Sequence, residues 1–177
     1  MTSNTRGGDR ILGSLRSADD KGVVRMEDRY DTDIDDLWSA LTDPGRLARW
    51  YGEVEGDLRP GGEFRVYIEA ADIESTGRVD ACEPPRRLLV TMRDADPRPG
   101  QPTETVVEAE LTADGDQTIL VVEERGLPLP LLPAYGAGVQ LHLENLADHV
   151  GGRELADPEA RWEELLPAYR DMAADVG

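Results

Sequence analysis

A chain of 177 residues, 39% hydrophobic and 32% charged, is long enough for one domain with a sizeable core and short for two. Its formal net charge of -18 argues against nucleic acid and anionic membrane surfaces as partners, because both would repel it. The single Cys82 excludes an internal disulfide, no run is apolar enough for membrane insertion, and residues 1–10 carry no secretory pattern, so a reducing cytoplasm is the expected location.

Residues 1–9 are polar and glycine-containing and read as a disordered tail, leaving 10–177 as the domain. Ile11, Leu12 and Leu15 suit a short strand, and Asp19 to Gly22 a turn into a second strand, Gly22 to Asp31. Ile34, Leu37, Trp38 and Leu41 recur at helical spacing, so Asp33 to Thr42 is a helix with Thr32 or Asp33 as its cap. Asp43-Pro44 then opens a short helix, Pro44 to Tyr51, which Gly52 ends.

From Val54 the period changes to two. Val54 to Leu58, Glu63 to Ala70, Ile73 to Cys82, Arg87 to Arg93, Glu104 to Thr112 and Gln117 to Arg125 read as strands of a meander. Arg59 to Gly62 is a turn, Pro84-Pro85 stops a strand, and Asp94 to Thr103 is a proline-rich hairpin tip. Leu127 to Pro133 is a proline-rich connector that can equally serve as the lip of an opening. The spacing then predicts a long helix over Pro133 to Val150. Val139, Leu143, Leu146 and Val150 share one sector, Gln140, Glu144 and Asp148 the opposite one, and Gly136 and Gly138 permit close approach. After Gly151-Gly152, Asp157-Pro158 opens a last helical segment carrying Trp162, Leu165, Leu166 and Tyr169, which Pro167 should kink or divide.

This order predicts an α+β domain in which the long helix buries its stripe on the sheet, with the space between them as the candidate site. Phe64, Val66, Ile68, Val90, Met92, Val139 and Leu146 supply apolar lining, while Ser75, His142, Tyr51 and Tyr135 supply polar groups. Trp50 and Tyr51 are placed to border an entrance. Each of these residues has packing as its competing role. The two histidines, His142 and His149, lie seven positions apart, a rise of about 10 Å, whereas ligands of one zinc lie about 2 Å from it. No metal site follows. No phosphate loop, dinucleotide fingerprint or nucleophile with an adjacent base is visible either, so neither a cofactor nor a catalytic residue is assigned.

Four segments carry a family resemblance: Arg29 to Gly52 (RYDTDIDDLWSALTDPGRLARWYG), Gly56 to Val66 (GDLRPGGEFRV), Gly77 to Met92 (GRVDACEPPRRLLVTM) and Gly138 to Val150 (GVQLHLENLADHV). With Trp38, Ala40-Leu41-Thr42, Pro44, Trp50 and Gly61-Gly62, the chain resembles the START-like helix-grip (SRPBCC) superfamily, in the branch named after the activator of heat-shock protein 90 ATPase. Many relatives carry tryptophan where this chain has Val139, a smaller residue that leaves more room.

The resemblance implies a helix-grip fold. Its curved antiparallel sheet of six to seven strands would wrap around a long C-terminal helix, with two short helices between the first strands. It also implies a cavity for a small hydrophobic molecule, lipid or polyketide-like. Three functions stay open: a ligand binder or carrier, a polyketide cyclase or aromatase-like enzyme that confines its substrate, and a stress-related co-chaperone. The last ranks lowest, because the chaperone activator has an additional N-terminal domain that this sequence does not display. A homodimer through the last helix or an edge strand is compatible with all three.

Overall fold

The computed structural model describes residues 10–94, 99 and 104–176. The expected disordered tail and most of the proline-rich tip lie outside the described residues. Strands β1 (Gly13–Ala18) and β2 (Lys21–Tyr30) form a hairpin whose turn holds Asp19 and Asp20 in the left-handed region, at φ 53° and 63°. Short polar side chains tolerate that conformation best after glycine.

Helix α1 (Ile34–Thr42) starts where Asp33 accepts the Asp36 amide at 2.8 Å. Helix α2 (Pro44–Trp50) starts where Asp43 accepts the Gly45 amide at 2.8 Å, with Pro44 in the first turn. In each case an aspartate satisfies a donor that the helix itself leaves open. The strands β3 (Glu53–Gly56), β4 (Glu63–Ile68), β5 (Ile73–Glu83), β6 (Arg87–Asp94), β7 (Thr105–Asp114) and β8 (Gln117–Leu127) follow. Helices α3 (Leu132–Val150) and α4 (Pro158–Ala173) close the chain.

All eight strands join one antiparallel sheet in the order β1-β2-β8-β7-β6-β5-β4-β3. That is one more than the upper expectation. The N-terminal hairpin is not separate, because β2 pairs along β8 from Gly22 opposite Leu127 to Tyr30 opposite Thr118. The apolar residues of alternating strands, together with α1, α2, α3 and α4, form a single core cluster. The fold is therefore α+β with a helix on a sheet, as the pattern predicts. No helix among the described residues is long and apolar enough to cross a membrane.

Two local expectations change. First, the polar side of α3 is not wet: Gln140 and Asp148 are each 1% exposed. Helix α4 and the segment before β1 cover that side. Gln140 Nε2 donates to the Arg10 carbonyl at 2.7 Å, and its Oε1 accepts from Leu12 N and the Tyr169 hydroxyl. Arg161 of α4 forks onto Glu144, Nε to Oε1 at 2.7 Å and Nη2 to Oε2 at 3.0 Å. Gln140 and Glu144 are thus satisfied by the elements that cover them.

Second, Pro167 does not divide the last helix, which runs unbroken to Ala173 because Leu165 and Tyr169, both fully buried, anchor it on either side of the proline. The connector between β8 and α3 is anchored at its ends by Leu127 and Leu132, 0% and 1% exposed, while Pro128 to Leu131 between them are partly buried or exposed. A methyl group on Gly136 would lie 2.5 Å from the Tyr169 ring, so this glycine does set the close approach of α3 and α4, whereas Gly138 meets nothing within 4 Å.

Candidate functional site

A cavity of about 330 Å³ lies between the short helices and the far half of the sheet. Trp38, Leu41 and Thr42 of α1, Leu47 of α2 and the following Tyr51 form its roof. Val54, Phe64, Val66, Val79, Leu88, Val90 and Met92 from β3 to β6 form its floor, with Leu58 and Cys82 at the margin. Its size falls in the range of small-molecule sites, and its walls are almost wholly apolar. The β6 residues Leu88, Val90 and Met92 are only partly buried although they face inward, because they border this space.

Register explains how the floor is built. Phe64 and Val66 alternate on β4, and Val79 and Val90 face each other across β5 and β6. A bulge between Val79 and Ala81 shifts the register of β5, so that Cys82 reaches the face that Ala81 would otherwise occupy. The turn before β4 is bonded to this bulge: Gly61 N donates to the Val79 carbonyl at 2.7 Å, and Val79 N to the Gly62 carbonyl at 2.9 Å. Burial raises the pKa of the Cys82 thiol, which makes it a wall group and not an activated nucleophile.

Gly77 lies under the Phe64 ring, where an added methyl would come within 2.3 Å of its tip. Gly77→Ala is therefore expected to drive that ring into the cavity and cost about 1–3 kcal/mol, a change that a denaturation midpoint would read. An unchanged midpoint would mean that the ring has another resting place.

The roof is tied down at several points. Trp50 Nε1 donates to the Ala40 carbonyl at 2.9 Å and so joins α2 to α1. Arg46 of α2 donates to the Asp36 carboxylate at 2.8 Å and to His149 Nε2 of α3 at 3.1 Å. Burial and the Arg46 charge both hold the His149 pKa below its ordinary value, consistent with a neutral ring accepting that bond.

The expected site residues divide accordingly. Tyr51, Phe64, Val66, Val90 and Met92 line the cavity. Trp50 does not: it is 7% exposed, in the core, with its indole N–H already bonded. Leu146 is fully buried core, and Ile68 and Val139 pack against that core. The cavity is thus roofed by α1 and α2, not by the C-terminal helix, because α3 packs chiefly on β2 and α4.

Ser75, Tyr135 and His142 belong to a polar compartment next to the cavity. Ser75 pairs with the wall residue Val66 across β4 and β5, and Asp94 follows the wall residue Met92 two places on along β6. Ser75 Oγ donates to Asp94 Oδ1 at 2.9 Å, and the Thr105 hydroxyl bonds Glu124. Burial, opposed by the Thr105 bond and assisted by the Asp94 charge, pushes the Glu124 pKa up to about 7. Burial first, then the charges of Glu124 and Asp94, raises both Tyr51 and Tyr135 to about 12. The Tyr51 ring meets the His142 ring edge-on, centroids 4.9 Å apart. His142 is lowered to about 4 by burial and stays neutral, and its buried Nδ1 has no partner among the described residues.

Sequence reasoning missed Glu124, Asp94 and Thr105. The signal was present in phase: Glu124 continues the inward row Thr118, Leu120, Val122, and Asp94 continues Leu88, Val90, Met92. A charge on an inward row marks a special environment. Among the described residues no group of three or more His, Cys, Asp and Glu is placed to hold a metal ion.

Residues 31–151 match the family described as Activator of Hsp90 ATPase homolog 1-like protein. Among solved structures, CalU16 from Micromonospora echinospora is similar at 29% identity and a TM-score of 0.74, over 91% of this chain and 95% of that one. DynU16, described as a protein in the dynemicin biosynthetic locus, is similar at 28% identity and a TM-score of 0.68, over 79% of this chain and 51% of that one. MLL2253 from Mesorhizobium loti shares the fold at 23% identity and a TM-score of 0.68, over 75% of this chain and 99% of that one. No curated protein matches. With the family match spanning more than half the chain and the helix-on-sheet architecture in place, the chain belongs to the Activator of Hsp90 ATPase homolog 1-like family of the helix-grip superfamily.

Proposed function

We propose that this protein binds a small hydrophobic molecule, lipid or polyketide-like, in the cavity under α1 and α2. The observation that carries the reading is the unfilled, apolar space of about 330 Å³ bordered by side chains that a solid core would have buried. The place of DynU16 in a biosynthetic locus supports a biosynthetic small molecule as the ligand.

Native mass spectrometry of gently purified protein should reveal a bound apolar species, and a ligand at a hundred times its dissociation constant should add about 2.7 kcal/mol to stability. Val90→Trp, which places an indole in the middle of the floor, should lower affinity at least tenfold with little loss of stability. Equal affinity in this variant, or no ligand-induced shift in the parent protein, would remove the reading.

The compartment of Glu124, Asp94, Tyr51, Tyr135 and His142 favours a second reading, an enzyme of the cyclase type that holds a reactive chain against ionisable groups. Conversion of a bound substrate that disappears in Glu124→Gln would select it, and binding without conversion would select the first.

A further inference from the structure

The roof of the cavity is fastened to the rest of the molecule through a titratable group. Arg46 of α2 reaches in two directions. Its Nη1 donates to Asp36 Oδ1 at 2.8 Å and to the Asp36 carbonyl at 3.0 Å, and its Nε donates to His149 Nε2 at 3.1 Å. The Asp36 bonds, with Trp50 Nε1 on the Ala40 carbonyl, hold α2 to α1, so the two roof helices answer as one unit. The His149 bond holds that unit to the last turn of α3. Helix α3 is itself fixed, packed on β2 and α4 with Leu143 and Leu146 buried. Leu47, which follows Arg46 directly, is a wall residue of the cavity, and Tyr51 about one turn further on is another. Whatever displaces Arg46 therefore displaces the wall.

The bond to His149 exists in one protonation state only. A neutral imidazole can offer Nε2 as an acceptor, whereas an imidazolium carries a proton on both nitrogens and accepts nothing. Arg46 stays charged throughout. A protonated ring at 3.1 Å would set two cations against each other in place of a hydrogen bond. The charges facing the ring are Arg46 and Arg49 from α2, which oppose its protonation, and Asp36 from α1, which favours it. On α3 the helix dipole at the C-terminal turn also favours it, while the neighbouring Asp148 is turned to Arg153. Burial and the two arginines prevail, so the ring is neutral at neutral pH and takes its proton below the ordinary histidine range.

We infer that His149 is a proton-operated latch on the cavity: neutral, it holds the α1–α2 roof against α3 and retains the ligand; protonated, it repels Arg46, and the roof lifts and lets the ligand go. This inference rests on the cavity reading proposed above and adds the regulation of that same site. By reciprocity, a bound ligand that keeps the roof seated makes His149 harder to protonate.

The test uses the full chain and N-phenyl-1-naphthylamine, an apolar fluorescent probe that stays uncharged across the histidine range. Its dissociation, followed by stopped flow, is expected to quicken by about fivefold or more between about pH 8 and about pH 5. His142, lowered to about 4, stays neutral over that range, but Glu124, pushed up to about 7, titrates within it. His149→Gln separates the two, because glutamine offers Arg46 an acceptor oxygen that does not titrate. Dissociation from this variant should be slow at both ends of the range, and from His149→Ala fast at both. A parent rate that ignores pH overturns the latch, and a pH dependence that survives in His149→Gln overturns its assignment to His149; in either case the cavity reading stands. An NMR titration of the parent protein needs no substitution: the His149 ring should take its proton at lower pH with the probe bound than without it, and equal midpoints overturn the coupling. If the probe binds at no pH, the cavity reading and the latch fall together.

Discussion

Gly136→Val should destabilise the fold by about 3 kcal/mol, at the upper end of overpacking costs, and lower the melting temperature by roughly 6–12 °C for a domain of this size. The valine Cβ would lie 2.5 Å from Tyr169 Cδ1. The ring has nowhere to go. Its hydroxyl donates to Gln140 Oε1 at 2.5 Å and accepts from Gly13 N at 3.2 Å, and the whole side chain is 0% exposed. Moving it would unseat α4, the bond to β1 and the burial of Gln140 together. Urea denaturation of the single variants and of the Gly136→Val, Tyr169→Ala pair provides the check. The two changes should be strongly non-additive, because removing the ring removes the clash. Simple additivity would show that α3 yields elsewhere.

Glu124→Gln should raise stability at alkaline pH and leave it nearly unchanged in acid. The folded pKa of about 7 lies above the ordinary 4.5. A raised pKa means that the favourable contribution of the protonated carboxyl is fully present below pH 4.5 and is lost as pH rises through 7. Discounted for the partial exposure of this side chain, the loss is about 2–3 kcal/mol, so the variant should melt roughly 4–12 °C higher than the parent above that window.

His142 acts with the opposite sign. Its folded pKa of about 4 lies below the ordinary 6.5, so the contribution of the neutral ring is present above 6.5 and lost as pH falls through 4. Between 4.5 and 6.5 the two slopes oppose each other, and the parent protein should have a flat optimum there. In the variant only the histidine slope should remain. A melting series across pH decides it: the same difference between variant and parent in acid and in base would refute a titrating Glu124.

What the sequence made legible was local. Asp33, Asp43 and Asp157 cap helices as expected, because a cap needs only a side chain and an amide two or three residues away. Phe64, Val66, Val90 and Met92 reach the cavity because alternation alone puts them on one face. The expected cavity roof was wrong because nothing in the stripe of α3 says which half of a sheet it will cover. The polar residues of that helix were also deceptive, since Gln140 and Asp148 look solvated until α4 is folded over them. Cys82 appears at the cavity only through a bulge, and a single-residue slip leaves no mark in composition. Glu124 was legible by phase but hidden among many other acidic residues.

The apolar lining of the cavity runs from Trp38 to Met92, a single stretch of sequence, whereas the buttress of α3 and α4 is drawn from residues after Leu127. The cavity wall and the helical buttress therefore occupy separate portions of the primary structure. The shape of the cavity can thus be altered within that stretch alone, while the buttress, with Gly136 seated on Tyr169, stays as it is.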